Sequence, residues 1–382
     1  MSKTIIIIGA GLAGLSAALQ AAENGCNVKL VSSLPSERAQ SVMAEGGINA
    51  ALNTKDENDS PEEHFTDTIK AACDLADPNA VWGMTQAAPE LVHWLLKLGV
   101  KFNMSGYDDV DLRNFGGQKK KRTAFAQSDT GKQIMTAMID AVRRKEASGM
   151  VERFSHHSFL TLRLCGNICC GCVIRDEYSQ ETVELPGDAV IVATGGMHGL
   201  FGNTTGSLSN TGEVTAELFR LGVPLANGEM IQYHPTTVKC GGKRMLISEA
   251  ARGEGGRLFA MKDGKQWYFM EEKYPELGNL MPRDITAREI WKVSHESEVF
   301  LDMTEISEEI ISNKLSGLAD DCMTYLHKDI RKEPVSVLPG IHYFMGGILV
   351  DEQHRTPIQN LYAAENAVPN IMVPTVLVEI LC

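Results

Sequence analysis

The sequence predicts an α/β protein: a parallel sheet covered by helices, with a smaller α+β unit inserted into it. Three observations predict this. A β-branched run, Thr4 to Ile8, is followed at once by Gly9-Ala10-Gly11-Leu12-Ala13-Gly14 and an Ala/Leu-rich segment. A second apolar run, Ala189-Val190-Ile191-Val192, ends in Ala193-Thr194-Gly195-Gly196 and reads as a late return to the first sheet. Between Thr236 and about Tyr343 the composition shifts to charged helices and short strands, as an inserted unit would. Runs rich in Ile and Val without alternation fit parallel strands, which are buried on both faces.

The elements follow in order. Thr4 to Ile8 is a strand, the segment to about Glu23 a helix, and Asn27 to Ser32 a second strand. Strand, GxGxxG, helix and strand form the opening unit of a dinucleotide-binding fold. Its glycines let the backbone approach a pyrophosphate, and the helix N-terminus supplies N–H donors and the positive end of a dipole. The acidic residue usual after the second strand is missing. Ser32 and Ser33 stand there, so a hydroxyl would meet the ribose. Pro61 to about Lys101 reads as helical, with Trp82, Trp94, Leu95 and Leu96 as candidates for its apolar face. Gly131 to about Ala147 is a further helix, and strands follow at about 159–164, 168–174 and 182–185. We divide the chain into a discontinuous first domain, 1–235 with 345–364, a second domain, 236–344, and a tail, 365–382.

Composition narrows the class. At roughly 150 residues per domain, the 382 residues make two or three domains. Hydrophobic residues make up 43% and charged residues 22%, which excludes a disordered, collagenous or coiled-coil chain. Lys and Arg number 36 against 49 Asp and Glu, a net charge of −13 that argues against nucleic-acid partners. Lys119-Lys120-Lys121-Arg122 reads as a solvated loop or as a steering patch for a dianion. The nine cysteines are scattered and odd in number, as expected of reduced thiols in the cytosol. Cys169-Cys170-Gly171-Cys172 has no second ligand pair at metal spacing, so we expect strand packing there and no metal site. No leader pattern follows Met1, and no apolar run reaches ~20 residues, so neither export nor a membrane span is expected.

Four segments carry the chemistry. They are Gln232-Tyr233-His234-Pro235-Thr236, Ser248-Glu249-Ala250-Ala251-Arg252-Gly253-Glu254-Gly255-Gly256, Pro282-Arg283-Asp284 and His342-Tyr343-Phe344-Met345-Gly346-Gly347. Taken singly, each His reads as readily as a satisfied polar residue. Together they offer two imidazoles, a hydroxyl and two guanidinium groups, a set suited to a small dicarboxylate. The spacings are not those of zinc, and no G-x-S-x-G elbow occurs.

These segments, with Ala44-Glu45-Gly46-Gly47-Ile48-Asn49-Ala50-Ala51, Arg122-Thr123-Ala124-Phe125-Ala126 and Asp129-Thr130-Gly131, resemble the flavoprotein subunits of fumarate reductase and succinate dehydrogenase. The broader relatives of that family include L-aspartate oxidase. The resemblance runs from Ile5 to about Ala364. It implies an FAD-binding Rossmann-like domain with an inserted α+β capping domain. FAD would lie on Gly9, Gly11, Gly14, Ser32, Ala44, Gly46, Gly47 and Glu213, the last where the family usually has Asp. His234, Ser248 and His342 would hold the carboxylates of fumarate or succinate. Arg283 would donate the proton, with Glu249 and Arg252 as its relay, while a hydride passes from flavin N5 to the alkene. The resemblance further implies an iron–sulfur subunit and a membrane anchor as partners. The chain would then be cytoplasmic, peripheral on the inner face of the cell membrane through those partners.

This chain departs from the family at three places. Gln40 stands where respiratory members carry the His that tethers FAD, so a non-covalent cofactor and a lean towards fumarate reduction are expected. Phe115-Gly116-Gly117-Gln118 stands where aspartate oxidases carry a Glu-Gly-Gly-His-Ser type of segment, which weighs against that enzyme. After Ala364 the family's continuation is lost. Read one base earlier, the codons for 365–382 can encode GECGAEHHGANRLGGNSL, which restores it. The sequence therefore predicts a one-base deletion near the Ala364 codon and a chain lacking the family's C-terminal helical domain. An inactive fragment of that enzyme is the second reading, and L-aspartate oxidase a third.

Overall fold

The computed structural model describes residues 2–107, 109–114, 120–127, 129–364 and 367–368. In chain order the framework is β1 (Thr4–Ile8), α1 (Leu12–Glu23), β2 (Asn27–Ser32), α2 (Pro61–Ala71), α3 (Pro78–Leu98), α4 (Thr130–Ala147), β3 (Val151–Ser155) and β4 (Ala189–Val192). There follow β5 (Ile231–Cys240), β6 (Lys243–Leu246), α5 (Glu249–Gly253), α6 (Arg283–Val293), β7 (Leu338–Phe344) and β8 (Leu361–Ala363).

Five strands make the parallel sheet, in the order β8-β4-β1-β2-β3. The return of Ala189–Val192 to the first sheet is borne out, since Ile6 pairs with Val190 in parallel register. Alternation sends Ile7 and Leu30 into one core with α1, α3 and α4, and Ile6, Ile8, Val190 and Val192 into a second core on the other face. A third core draws on residues between Val238 and Val337 and lies under separate antiparallel sheets, one of which has the order β6-β5-β7.

Several expectations need correction. The helical stretch from Pro61 is two helices, because Cys73 and Asp74 turn the chain at positive φ and Asp77 caps α3, whose first residue is Pro78. Leu95 is buried, but Trp82 sits outside the core, edge-on to Phe65 at 5.3 Å. In the basic run Lys121 is exposed, but two of the run's cations are drawn into the protein. Arg122 is fully buried and reaches Asp59 at 2.8 Å and Asp67 at 3.0 Å, while Lys120 bonds Glu63 and the Asn58 carbonyl. Arg122 and Lys120 are thus taken up by the acidic loop and helix α2, which sequence spacing alone does not reveal. The cysteines are not all free: Cys165 and Cys170 pair as a disulfide where two strands of a hairpin meet. Cys169 and Cys172 pack into the second core, and burial pushes the Cys172 thiol up to about 12. The segments at 115–118 and 369–382, with their departures from the family pattern, lie outside the described residues.

Candidate active site

Two groups of residues stand out. The first lines a cavity at the C-terminal end of β1, where open parallel sheets bind their ligands. Gly9, Gly11, Ser32, Gln40 and Glu213 border it, together with Thr194, Gly195 and Gly196. Gly9 has φ +111°, and a Cβ there would lie 2.1 Å from the Ala193 carbonyl. A Cβ on Gly14 would lie 1.9 Å from the Gly9 carbonyl, so this glycine seats α1 against β1 and does not line the cavity. Gly11 differs: the nearest atom to its Cβ would be Ser41 Oγ at 3.6 Å. Among the described residues nothing excludes a side chain at Gly11, so a ligand that approaches the backbone would account for this glycine. Ser32 Oγ is sealed and has no partner among the described residues. At the N-terminus of α1 the N-cap Gly11 offers no side chain, and Leu12 N donates to Ser41 Oγ at 3.4 Å. An open cradle, an orphaned hydroxyl and the N-terminus of α1 fit a dinucleotide-type cofactor such as FAD.

Ala44, Gly46 and Gly47 lie away from this lining, in a loop fastened from behind. The Ala44 carbonyl accepts from Gly131 N at 2.7 Å. Arg113 Nη2 donates to the carbonyls of Glu45, at 3.0 Å, and Gly46. Its guanidinium lies over the Phe125 ring at 4.5 Å, and burial brings its pKa down to about 10. Arg113 belongs to no motif, and sequence reading missed it.

The second group lies among β5, β7, α5 and α6. Ser248 Oγ caps α5 by accepting from Ala250 N, which puts Glu249 and Arg252 on one face three residues apart. Arg252 Nη2 donates to Glu249 Oε1 at 2.8 Å, and Arg283 Nε donates to Glu249 Oε2 at 3.2 Å. Arg283 Nη1 donates to Gln232 Oε1 at 2.8 Å. Burial alone would raise the Glu249 carboxyl, but the two arginines outweigh it and hold it below the usual range. The His234 and His342 rings stand 5.3 Å apart. His342 Nδ1 meets Thr205 Oγ1 at 2.7 Å. Burial, then the Arg283 cation, push His234 well below the usual imidazole range, so it is neutral. Its Nδ1 lies 3.3 Å from Thr236 N and 3.1 Å from Thr236 O, while Nε2 is sealed and without a partner among the described residues. Gln232 stood inside a motif without a role, and Thr205 gave no sequence signal, since only folding brings it to His342.

Comparison with known proteins shows the family. The family described as FAD binding domain matches residues 4–374. The succinate dehydrogenase flavoprotein subunit of Bacillus subtilis is 43% identical over 371 residues, which cover 95% of this chain and 63% of that protein. L-aspartate oxidase 1 of Ralstonia nicotianae is 33% identical over 95% of this chain and 68% of its own. A structure of Escherichia coli quinol fumarate reductase superimposes with a TM-score of 0.88 at 28% identity, over 97% of this chain and 66% of that one. The chain thus spans about two thirds of the length of these relatives. It belongs to the FAD binding domain family of oxidoreductases, beside the succinate dehydrogenase and fumarate reductase flavoprotein subunits.

Proposed function

We propose that the chain carries the fumarate–succinate site of such a flavoprotein. The observation that carries this reading is the sealed, unpartnered His234 Nε2 in a cluster that also holds Arg283 and His342. A buried polar atom without a partner costs about 1–3 kcal/mol, and a substrate carboxylate would remove that cost. Nδ1 faces both Thr236 N and the Thr236 carbonyl; in the tautomer in which Nδ1 accepts from Thr236 N, Nε2 carries the hydrogen and would donate to the carboxylate. Ser248 and His342 complete the grip. Gly9, Gly11, Ser32 and Glu213 would hold FAD, which when bound exchanges a hydride with the substrate carbon. Gln40 offers an amide, which forms no tether, so the cofactor is non-covalent.

Arg283 supplies the proton in fumarate reduction and takes it back in succinate oxidation. Guanidinium groups ordinarily keep their protons above pH 12. Here Glu249 contacts both arginines, so a proton leaving Arg283 is replaced along Arg252, Glu249 and Arg283. Gln232 fixes the Arg283 plane without adding charge. An iron–sulfur subunit and a membrane anchor are the proposed partners, which place the chain at the inner face of the cell membrane. Among the described residues, no helix is long and apolar enough to cross it.

The test compares succinate and aspartate as reductants of a dye, with FAD present. Succinate should work and aspartate should not. Arg283→Lys should lose at least 1000-fold in succinate turnover while its flavin absorbance stays. Aspartate turnover would favour the oxidase seen among the relatives. Flavin binding without turnover on either substrate would favour an inactive fragment.

A further inference from the structure

The strands that carry the two histidines have a second face. Successive strand residues point to opposite sides. His234 and His342 belong to the candidate active site, whereas Tyr233 and Ile341, paired across β5 and β7, line a groove of about 710 Å³. Phe201, Arg244, Trp291 and Leu338 complete its main walls. No residue of the proposed fumarate–succinate site lines it, and its size is that of a small-molecule pocket, on the order of 300–1,000 Å³.

One cation sits in this groove. Arg244, on β6, is only 9% exposed. Its Nη2 donates to the carbonyls of Thr237 at 2.9 Å and Leu338 at 3.4 Å, and Nε donates to Thr237 Oγ1. All of these acceptors are neutral. Among the described residues no carboxylate pairs with Arg244, and its Nη1 has no hydrogen bond. The chain makes room for this side chain: a Cβ on Gly340 would lie 2.7 Å from Arg244 Cδ. Buried charges are ordinarily paired, so a guanidinium held this way and left unpaired calls for an external anion.

The walls say what body the anion has. Trp291 is 58% exposed, and Phe201, Tyr233 and Leu338 are exposed beside it. His295 holds the indole edge-on at 4.4 Å and anchors its own Nδ1 2.7 Å from the Trp291 carbonyl. Ordered aromatic faces favour flat, apolar surfaces. We propose that this groove binds a flat, apolar organic carboxylate, with its anionic group on Arg244 and its body against Trp291 and Tyr233. A short dicarboxylate, which has no such body, would be a poor occupant, so this site is independent of the fumarate–succinate reading.

The probes are trans-cinnamate and its neutral amide, titrated into the chain by calorimetry. Cinnamate should saturate one site, and cinnamamide should bind at least tenfold more weakly. Arg244→Met and Trp291→Ala should each weaken cinnamate at least tenfold while keeping the parent's circular dichroism. Saturating succinate should leave cinnamate affinity unchanged. Where Arg244→Met does not fold, Arg244→Lys keeps the charge and should retain more affinity than Trp291→Ala. Equal affinity for acid and amide, competition by succinate, or no saturable binding would each overturn the proposal. So would self-association in sedimentation that Trp291→Ala abolishes, since the groove would then belong to a second copy of the chain.

Discussion

Arg283 Nε and Arg252 Nη2 hold opposite oxygens of one buried carboxylate: Glu249 Oε2 lies 3.2 Å from the first, and Glu249 Oε1 lies 2.8 Å from the second. Two cations therefore share one anion in a place almost closed to solvent. Such a triad depends on all its members, because removing the anion leaves two uncompensated charges.

Glu249→Gln keeps the shape and removes the charge. Breaking a buried ion pair from one side costs about 3–5 kcal/mol. We expect urea unfolding of Glu249→Gln to show a loss of about 3 kcal/mol. A loss below about 0.5 kcal/mol, an ordinary surface value, would mean that water already solvates the arginines.

The glycine pair of the first cavity separates folding from binding. Gly9→Ala should fail to fold normally, since its Cβ would meet the Ala193 carbonyl at 2.1 Å and its φ is +111°. Gly11→Ala should keep the apo thermal midpoint within about 2 °C, because among the described residues its Cβ would meet only Ser41 Oγ at 3.6 Å and Ala39 Cβ at 3.9 Å, both ordinary contacts. Its FAD affinity, read by flavin fluorescence quenching, should fall at least tenfold. Unchanged affinity would remove the ligand from the explanation of this glycine.

Much of this was legible in the sequence, for a physical reason. The two strands Thr4–Ile8 and Asn27–Ser32 carry their periodicity and their turn within one short stretch and are returned unchanged, while the helix between them ends at Glu23 as expected but starts at Leu12, inside the glycine turn. The motif residues Glu249, Arg252, Arg283, His234 and His342 do come together. What stayed hidden depends on contacts between distant segments. Arg122 finds Asp59 across 63 residues, Arg113 clasps the carbonyls at 45 and 46, and Thr205 meets His342 across 137. None of these pairs has a local pattern, and an Arg in a basic run looks the same whether it ends in water or in the core.

Three buried histidines set the acid limit of stability. Burial, aided by the Arg122 cation, takes His64 down to about 3, and burial takes His198 down to about 4. His234 is shifted the same way. A histidine depressed in the native state stays neutral while the unfolded chain binds a proton below about pH 6.5. The unfolded state then holds more protons, so stability falls as pH falls through that value. Between pH 7 and 5, His64 and His198 should each remove about 2 kcal/mol. The urea midpoint should drop over that range, and His64→Leu should lose about 2 kcal/mol less on acidification than the parent. Equal losses in both would place a hydrogen-bond acceptor or water on the His64 ring.

The proposed non-covalent hold on the cofactor turns on Gln40. It borders the cavity in a short turn, beside Ala39 and Ser41, in the place where the resemblance puts a tethering His. A covalent bond to the flavin from this position needs a nucleophilic side-chain atom. Imidazole has one, whereas the lone pair of a carboxamide nitrogen is delocalised into its carbonyl. The bound flavin would then rest on hydrogen bonds and stacking alone, and these vanish when the chain unfolds. Acid precipitation of chain loaded with FAD should therefore leave all yellow colour in the supernatant and none in the pellet. Because the cofactor binds only the native state, excess FAD should also raise the thermal midpoint in proportion to the logarithm of its concentration. Flavin retained in the acid pellet would mean that another side chain near the cavity makes the bond, and the inference from Gln40 would fall.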